Sequence, residues 1–413
     1  MSKWSGLVSL LLLVGLSGCT QEKVQTGVGA DIQAKDYSRP LPEGQPALVK
    51  ITDPNRMPDV SAAWQQRDLF LRDAMDESIA WFDKPSTVEW YPQCGVDHER
   101  ARASVVAMRE IMENSTSAED FRSQVLQEFD VYESVGCDGE GTVLFTGYYS
   151  PILDGKSSAE DGNDAPLYRR PSDLATHPKT GQPLGRRTRD GQLEPWPTRR
   201  EIEEQGMFEG TELVWLDDPL SAYIAHVNGS AKIRMPDGSV QYVGYDGKTD
   251  QEYKGLGVSL VESGLADPKS LSLSTVRRLH RRHPEKVEDL ILDNDSYVFF
   301  REYDGGTWPA GSLGFPVTTE RSIATDKSVY PRGGVVLVDT KTNTFGGEKS
   351  FRQFMLDQDT GGAIRAPGRA DLYMGTGSAA EILAGGQYAE GKLYYFFLKP
   401  ERVASVNADW SGH

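Results

Sequence analysis

The sequence predicts an α+β chain whose second half is mostly β. Three observations predict it. Helical apolar periodicity is confined to about residues 60–130. After Gly141 the texture changes to short β-branched and aromatic runs. From residue 296 onward such runs alternate with Gly/Pro turns, as in all-β barrels. A chain of 413 residues has room for two or three domains, and 38% hydrophobic residues suffice for a sizeable core.

The N-terminus reads as an export signal. "MSKWSGLVSLLLLVGLSGC" has a basic Lys3 and an apolar run from Leu7 to Leu16, too short to span a membrane as a helix. It ends in Leu16-Ser17-Gly18-Cys19, which resembles a bacterial lipobox. Residues 1–19 are therefore expected to be a lipoprotein signal peptide, with Cys19 the acylated mature N-terminus. Thr20, where an Asp would signal inner-membrane retention, favours the periplasmic face of the outer membrane. Residues 20–45 are polar and read as a tether. Cys94 and Cys137 remain, and an even count in an exported chain predicts a disulfide between them.

The elements follow in order. Residues 60–83 place Trp64, Phe70, Met75, Ile79 and Phe82 at helical spacing, and a second helix covers about 98–113. A third starts at Ser117-Ala-Glu-Asp, which resembles a capping box. "TVLFTGYYSPIL" is a strand, and a polar loop follows it. "PTRREIEEQG" reads as a short helix with Thr198 as N-cap, Glu201 as reciprocal partner and Gly206 as stop. Residues 211–247 are expected to be several short strands with a "PDGS" hairpin turn. Residues 265–285 are helical, and "SYVFFRE", "VVLVDT" and "LYYFFLK" are strands.

Composition excludes some functions. A formal charge of −17 lacks the basic footprint of a nucleic-acid binder. The six histidines show no ligand spacing with Cys or Glu, so no metal or cofactor is expected. His280 and His283 in "RRLHRRHPE" read as a solvated basic helix face rather than a metal pair.

Seven stretches, in order, resemble the membrane-bound lytic murein transglycosylase A family: "FTGYYSP" (145–151), "AYIAHVNGSAKI" (222–233), "VGYDGKTDQEYKGLG" (243–257), "NDSYVFFRE" (294–302), "GSLGFPVTTERSIATDKSVYPRGGVVLVD" (311–339), "DTGGAIRAPGRADLYMG" (359–375) and "YYFFLKP" (394–400). The resemblance implies a double-psi β-barrel formed by 46–146 plus 301–413, with a smaller β domain inserted at 147–300 and a glycan groove between them. It also implies a C-terminal "3D" module at about 304–400, whose three aspartates match Asp326, Asp359 and Asp371. Two stretches depart from the family pattern: the long acidic loop at 154–166 and the basic "RRTRDGQLEPWPTRR".

Ordinary glycosidases need two carboxyl groups. A lytic transglycosylase needs one, because the muramic acid 6-hydroxyl is the nucleophile and closes a 1,6-anhydro ring. The resemblance assigns that acid/base role to Asp371. A single acid must hold its proton near neutral pH, which burial or a neighbouring carboxylate favours and Arg365 or Arg369 would oppose. Asp359 reads either as an Asx-turn scaffold or as a local charge, and Asp326 as a turn residue. For glycan binding the candidates are Tyr148, Tyr149, Asn228, Ser230 and Tyr373, with core tyrosines as the alternative. Strand alternation lets only one of Tyr148 and Tyr149 face the groove. The expected activity is cleavage of the β-1,4 bond between N-acetylmuramic acid and N-acetylglucosamine in peptidoglycan strands. Alternatives are a hydrolase of another β-linked glycan and a non-catalytic envelope glycan-binding module. Other cell-wall enzymes are expected partners.

Overall fold

The structure, a computed structural model, describes residues 35–410 apart from 161–163, 179–180, 268–270, 312, 345–346 and 363. The signal peptide, Cys19 and most of the expected tether lie outside the described residues. The strands are β1 (Leu48–Lys50), β2 (Phe129–Ser134), β3 (Val143–Ser150), β4 (Ile152–Lys156), β5 (Ala165–Tyr168), β6 (Leu174–Thr176), β7 (Pro183–Arg187), β8 (Leu193–Glu194), β9 (Glu212–Leu216), β10 (Ser230–Arg234), β11 (Val240–Lys248), β12 (Val298–Tyr303), β13 (Ser322–Ala324), β14 (Val335–Thr344), β15 (Gly347–Asp359), β16 (Arg369–Thr376) and β17 (Tyr388–Leu398).

The largest sheet runs β1-β2-β17-β14-β15-β13-β16-β3, and β3 pairs again with β17. The last six strands therefore close into a barrel, which leaves no open edge among them. The barrel takes β3 from one part of the chain and β13–β17 from another. Between them lie a six-stranded sheet, β12-β11-β10-β4-β9-β5, and a small one, β6-β7-β8.

Each part has its own core. Phe354, Phe396, Leu337 and Val336 are fully buried in the barrel's cluster, while Leu167, Leu216, Ile233 and Phe300 centre the six-stranded sheet. Burying each such Phe or Leu contributes about 2 kcal/mol. The helices Val60–Gln65, Leu69–Phe82, His98–Asn114 and Ala118–Glu128 pack on the barrel. Gln358 anchors one of them, donating from Nε2 to the Ala74 carbonyl at 2.7 Å and to Ser78 at 3.0 Å.

Several expectations need correction. The segment 60–83 is two helices, because Asp68 caps a new one by accepting from the Leu71 N–H. Ser117 is an N-cap, but Asp120 reaches back to Thr116 rather than completing a box. The Thr198/Glu201 box is present. Within 211–247, Pro219–Asn228 is a helix: Asp218 caps it, Pro219 opens it and Gly229, left-handed at φ 69°, closes it. Helices Gly377–Gly386 and Pro400–Trp410 were not foreseen. The expected tether reaches too far, since the Tyr37 hydroxyl donates to Glu390 of the barrel. Cys94 and Cys137 are not joined by a disulfide. Cys94 Sγ instead donates to the Val329 carbonyl, and Cys137 packs on Gly368. Among the described residues no helix is long and apolar enough to cross a membrane, and no three His, Cys, Asp or Glu side chains are grouped as metal ligands. His280 pairs with Glu288 at 2.9 Å, and His283 ends its helix.

Candidate functional site

Parallel pairing of β3 with β16 builds the site. The register sets Asp371 beside Thr146 and Tyr373 beside Tyr148. The Thr146 hydroxyl donates to Asp371 Oδ1. Arg369, two residues earlier on the same face, donates from Nε to Oδ1 at 2.9 Å and from its Nη2 to Oδ2 at 3.2 Å. The carboxylate holds the Arg369 guanidinium above its ordinary pKa. Asp371 is 14% exposed and Arg369 28%, so the pair is reachable from solvent.

Asp359 lies two strands away. Ala324 of β13 is in register with Asp371 on one side and Asp359 on the other. Two strand spacings put the two acidic backbones about 10 Å apart. Asp359 accepts from the Tyr148 hydroxyl at 2.9 Å and from the Thr360 N–H at 2.8 Å. Burial, and then the Asp359 charge, push the Tyr148 hydroxyl pKa well up, so it stays a donor. Gly311 faces Asp359, and a Cβ there would come within 3.0 Å of its carboxyl carbon.

Asp326 has a scaffold geometry. Oδ1 accepts from the Ser328 N–H and hydroxyl at 2.9 and 2.7 Å, and Oδ2 accepts from the Ala366 N–H at 2.8 Å. It thereby ties the β13–β14 turn to the loop leading into β16.

The five glycan candidates separate. Tyr148 faces the Asp359 side, and Tyr149 points to the opposite face of β3, where its hydroxyl donates to Glu381 at 3.0 Å. There Tyr149, Arg277, Arg281, Ser378 and Glu381 line a cavity of about 360 Å³. Tyr373 is fully buried, donating to Ser150 at 3.0 Å, and offers no face to a sugar. Asn228 closes its own helix by donating to the Ile224 carbonyl at 2.9 Å, and Ser230, at the start of β10, is nearly buried.

Sequence reasoning missed an aromatic group on β11, the end of β12 and the segment after it. Tyr242 lies 6.0 Å from Tyr303 and 5.7 Å from Trp308, ring centre to ring centre, with Lys232 over both Tyr242 and Trp308. Burial chiefly raises the Tyr373 hydroxyl pKa, and Asp359 and Tyr303 are near enough to add to it. The aromatic group therefore borders the same barrel face as Asp371. Tyr242 is far in sequence from Tyr303 and Trp308, so no local pattern could have shown it.

Beneath the site, Lys327 pairs with Asp357, which also accepts from Tyr395 at 2.6 Å and Thr325 at 2.8 Å. Burial pushes the Asp357 carboxyl up and the Lys327 ammonium down.

Residues 144–301 match the family described as the MltA specific insert domain, and residues 321–397 match the 3D domain. The chain belongs to the MltA-type lytic transglycosylase family. The insert match runs from β3 into β12, and the 3D match runs from β13 into β17 and includes all three aspartates. The membrane-bound lytic murein transglycosylase A of Escherichia coli (strain K12) is 27% identical over 277 residues, 66% of this chain and 70% of that protein. The Vibrio cholerae protein of that name is 29% identical over 266 residues, 63% of this chain and 66% of that protein. Among solved structures, the membrane-bound lytic murein transglycosylase from Agrobacterium tumefaciens superposes with a TM-score of 0.68 at 25% identity, covering 86% of this chain and 99% of that one. Escherichia coli MltA with bound chitohexaose has the same fold, with a TM-score of 0.64 at 22% identity over 89% of this chain and all of that one.

Proposed function

We propose that the chain is a lytic murein transglycosylase that cleaves the β-1,4 bond between N-acetylmuramic acid and N-acetylglucosamine, with Asp371 as its single acid/base. The observation that carries this reading is the unequal placement of the two carboxylates. Asp371 is reachable and held by side chains alone, whereas Asp359 is committed to Tyr148 and the Thr360 N–H. Asp371 protonates the glycosidic oxygen as the C1–O4 bond breaks. The muramoyl O6 then bonds to C1 of the same sugar and returns its proton to Asp371, so no water is consumed. Holding O6 against C1 supplies much of the rate. Arg369 and Thr146 fix the carboxyl in place by donating to it from its own strand and the neighbouring one. Tyr148 and the Tyr242–Tyr303–Trp308 group are the sugar-facing surface in this reading.

The barrel is read as double-psi, with the 147–300 segment inserted into it. Acylated Cys19 would hold the protein on the periplasmic face of the outer membrane, within reach of murein and of other cell-wall enzymes. Incubating purified protein with sacculi tests the activity. Mass spectrometry should find 1,6-anhydromuropeptides, and Asp371→Asn should lose at least about 10³-fold in rate. Reducing-end products would instead establish a hydrolase. Wild-type rates in Asp371→Asn would leave a glycan-binding module.

A further inference from the structure

We infer that Lys248 and Arg365 form a subsite for a carboxylate carried by the muramoyl sugar, either on its lactyl ether or on an attached peptide. The inference rests on the proposed function and names what distinguishes the substrate there from a neutral glycan. Lys248 ends β11, in the six-stranded sheet. Its ammonium lies 3.2 Å from the point a Cβ on Gly362 would occupy. Gly362 follows Asp359 by three residues, and Arg365 by six, in the barrel loop that leads to β16. A cation of the six-stranded sheet thus reaches the barrel loop that carries a second one, between Asp359 and Asp371 in sequence.

Neither has a compensating anion. Among the described residues, Lys248 and Arg365 make no hydrogen bond or ion pair with a carboxylate. The contrast with neighbouring cations is sharp: Arg369 has Asp371, Lys327 has Asp357, and the more exposed Lys50 and Lys392 hold Asp130 at 2.7 Å and Glu133 at 2.9 Å. Lys248 is half-buried, and the like-charged Arg365 is near enough to act on it. Burial and that neighbour both push its ammonium pKa down. A partly desolvated cation facing another cation is unfavourable until an anion arrives. In a chain of net charge −17 the arrangement is not a by-product of excess base. N-acetylglucosamine carries no anion. Muramic acid carries its lactyl carboxylate, or a peptide with carboxylates of its own.

The test measures binding to full-length Asp371→Asn protein, so that no ligand is consumed. Three hexasaccharides are compared: chitohexaose, an alternating N-acetylglucosamine–N-acetylmuramic acid oligomer with free lactyl carboxylates, and the same oligomer bearing peptides. Lys248→Gln and Arg365→Gln should each weaken binding of carboxylate-bearing glycan about tenfold while changing chitohexaose by less than about twofold. Lys248→Arg should keep most of the affinity. A loss confined to the free-lactyl oligomer assigns the lactyl group, and one confined to the peptide-bearing oligomer assigns the peptide. Equal losses on all three glycans, or no loss on either acidic one, overturn the inference. Should Lys248→Gln fail to fold, Arg365→Gln on the exposed loop decides. Wild-type digestion of sacculi is read separately: anhydro products with unselective variants sink only this subsite, and their absence sinks the functional reading.

Discussion

Arg369 is the residue that most constrains Asp371. It forks onto both carboxylate oxygens from the same face of β16, and Thr146 donates from the facing strand. Replacing Arg369 by Met removes both of its hydrogen bonds to Asp371 and leaves the carboxylate less firmly placed. The rate on sacculi should therefore fall by about tenfold or more in a variant that still folds, and an unchanged rate would show that the fork does not position Asp371. Lys327 and Asp357 make a second residue-scale prediction. Lys327→Met strands a buried carboxylate and should cost about 3–5 kcal/mol in urea unfolding. The double variant Lys327→Met/Asp357→Leu should recover much of that loss, because neither charge is then left buried. A double variant as unstable as the single one would contradict this account.

At the scale of elements, close packing and burial decide what can change. The helix Gly377–Gly386 lies so near β3 that a Cβ on Gly147 would meet the Ala384 backbone at 2.6 Å. Gly147→Val should thus push the helix off the barrel and cost about 1–3 kcal/mol, read as a lower melting temperature. The helix Pro219–Asn228 carries buried His226 against β12, where its Nδ1 accepts from the Val298 N–H at 3.3 Å and lies 3.2 Å from Arg199. Burial, then Arg199, push the His226 pKa well below 6.5. With the folded value depressed, the unfolded chain binds the proton first as pH falls. The stability linked to neutral His226 is present above about pH 6.5 and lost below it. The urea midpoint should fall between pH 7 and 5, and fall less in His226→Gln.

At the scale of the molecule, the barrel and the segment inserted into it are clasped by side chains far apart in sequence. Arg277, on the helix Leu273–Arg282, forks onto Glu381 of Gly377–Gly386 at 2.7 and 3.0 Å, and Tyr149 of β3 donates to the same carboxylate. A double-mutant cycle of Arg277→Ala and Glu381→Ala should give a coupling of about 1 kcal/mol, since the pair is partly exposed. A coupling near zero would mean that this contact does not join the two parts.

The sequence by itself determined what depends on near neighbours. Caps at Thr198 and Ser117 marked helix starts, β-branched and aromatic runs marked β3, β14 and β17, and the motif order singled out Asp371. Local signals at Asp218, Pro219 and Gly229 were also present, yet the apolar run between them reads equally well as strand. Only the tertiary structure decided register: that Thr146 meets Asp371, that Ala324 stands between Asp371 and Asp359, that Tyr149 points to the opposite face of β3, and that Tyr373 is buried against Ser150. It also decided that Cys94 and Cys137 stay unjoined, because each packs on its own part of the barrel. The physical reason is that a strand's periodicity fixes which side chains share a face, while the partner strand, often more than 200 residues away here, fixes what that face meets.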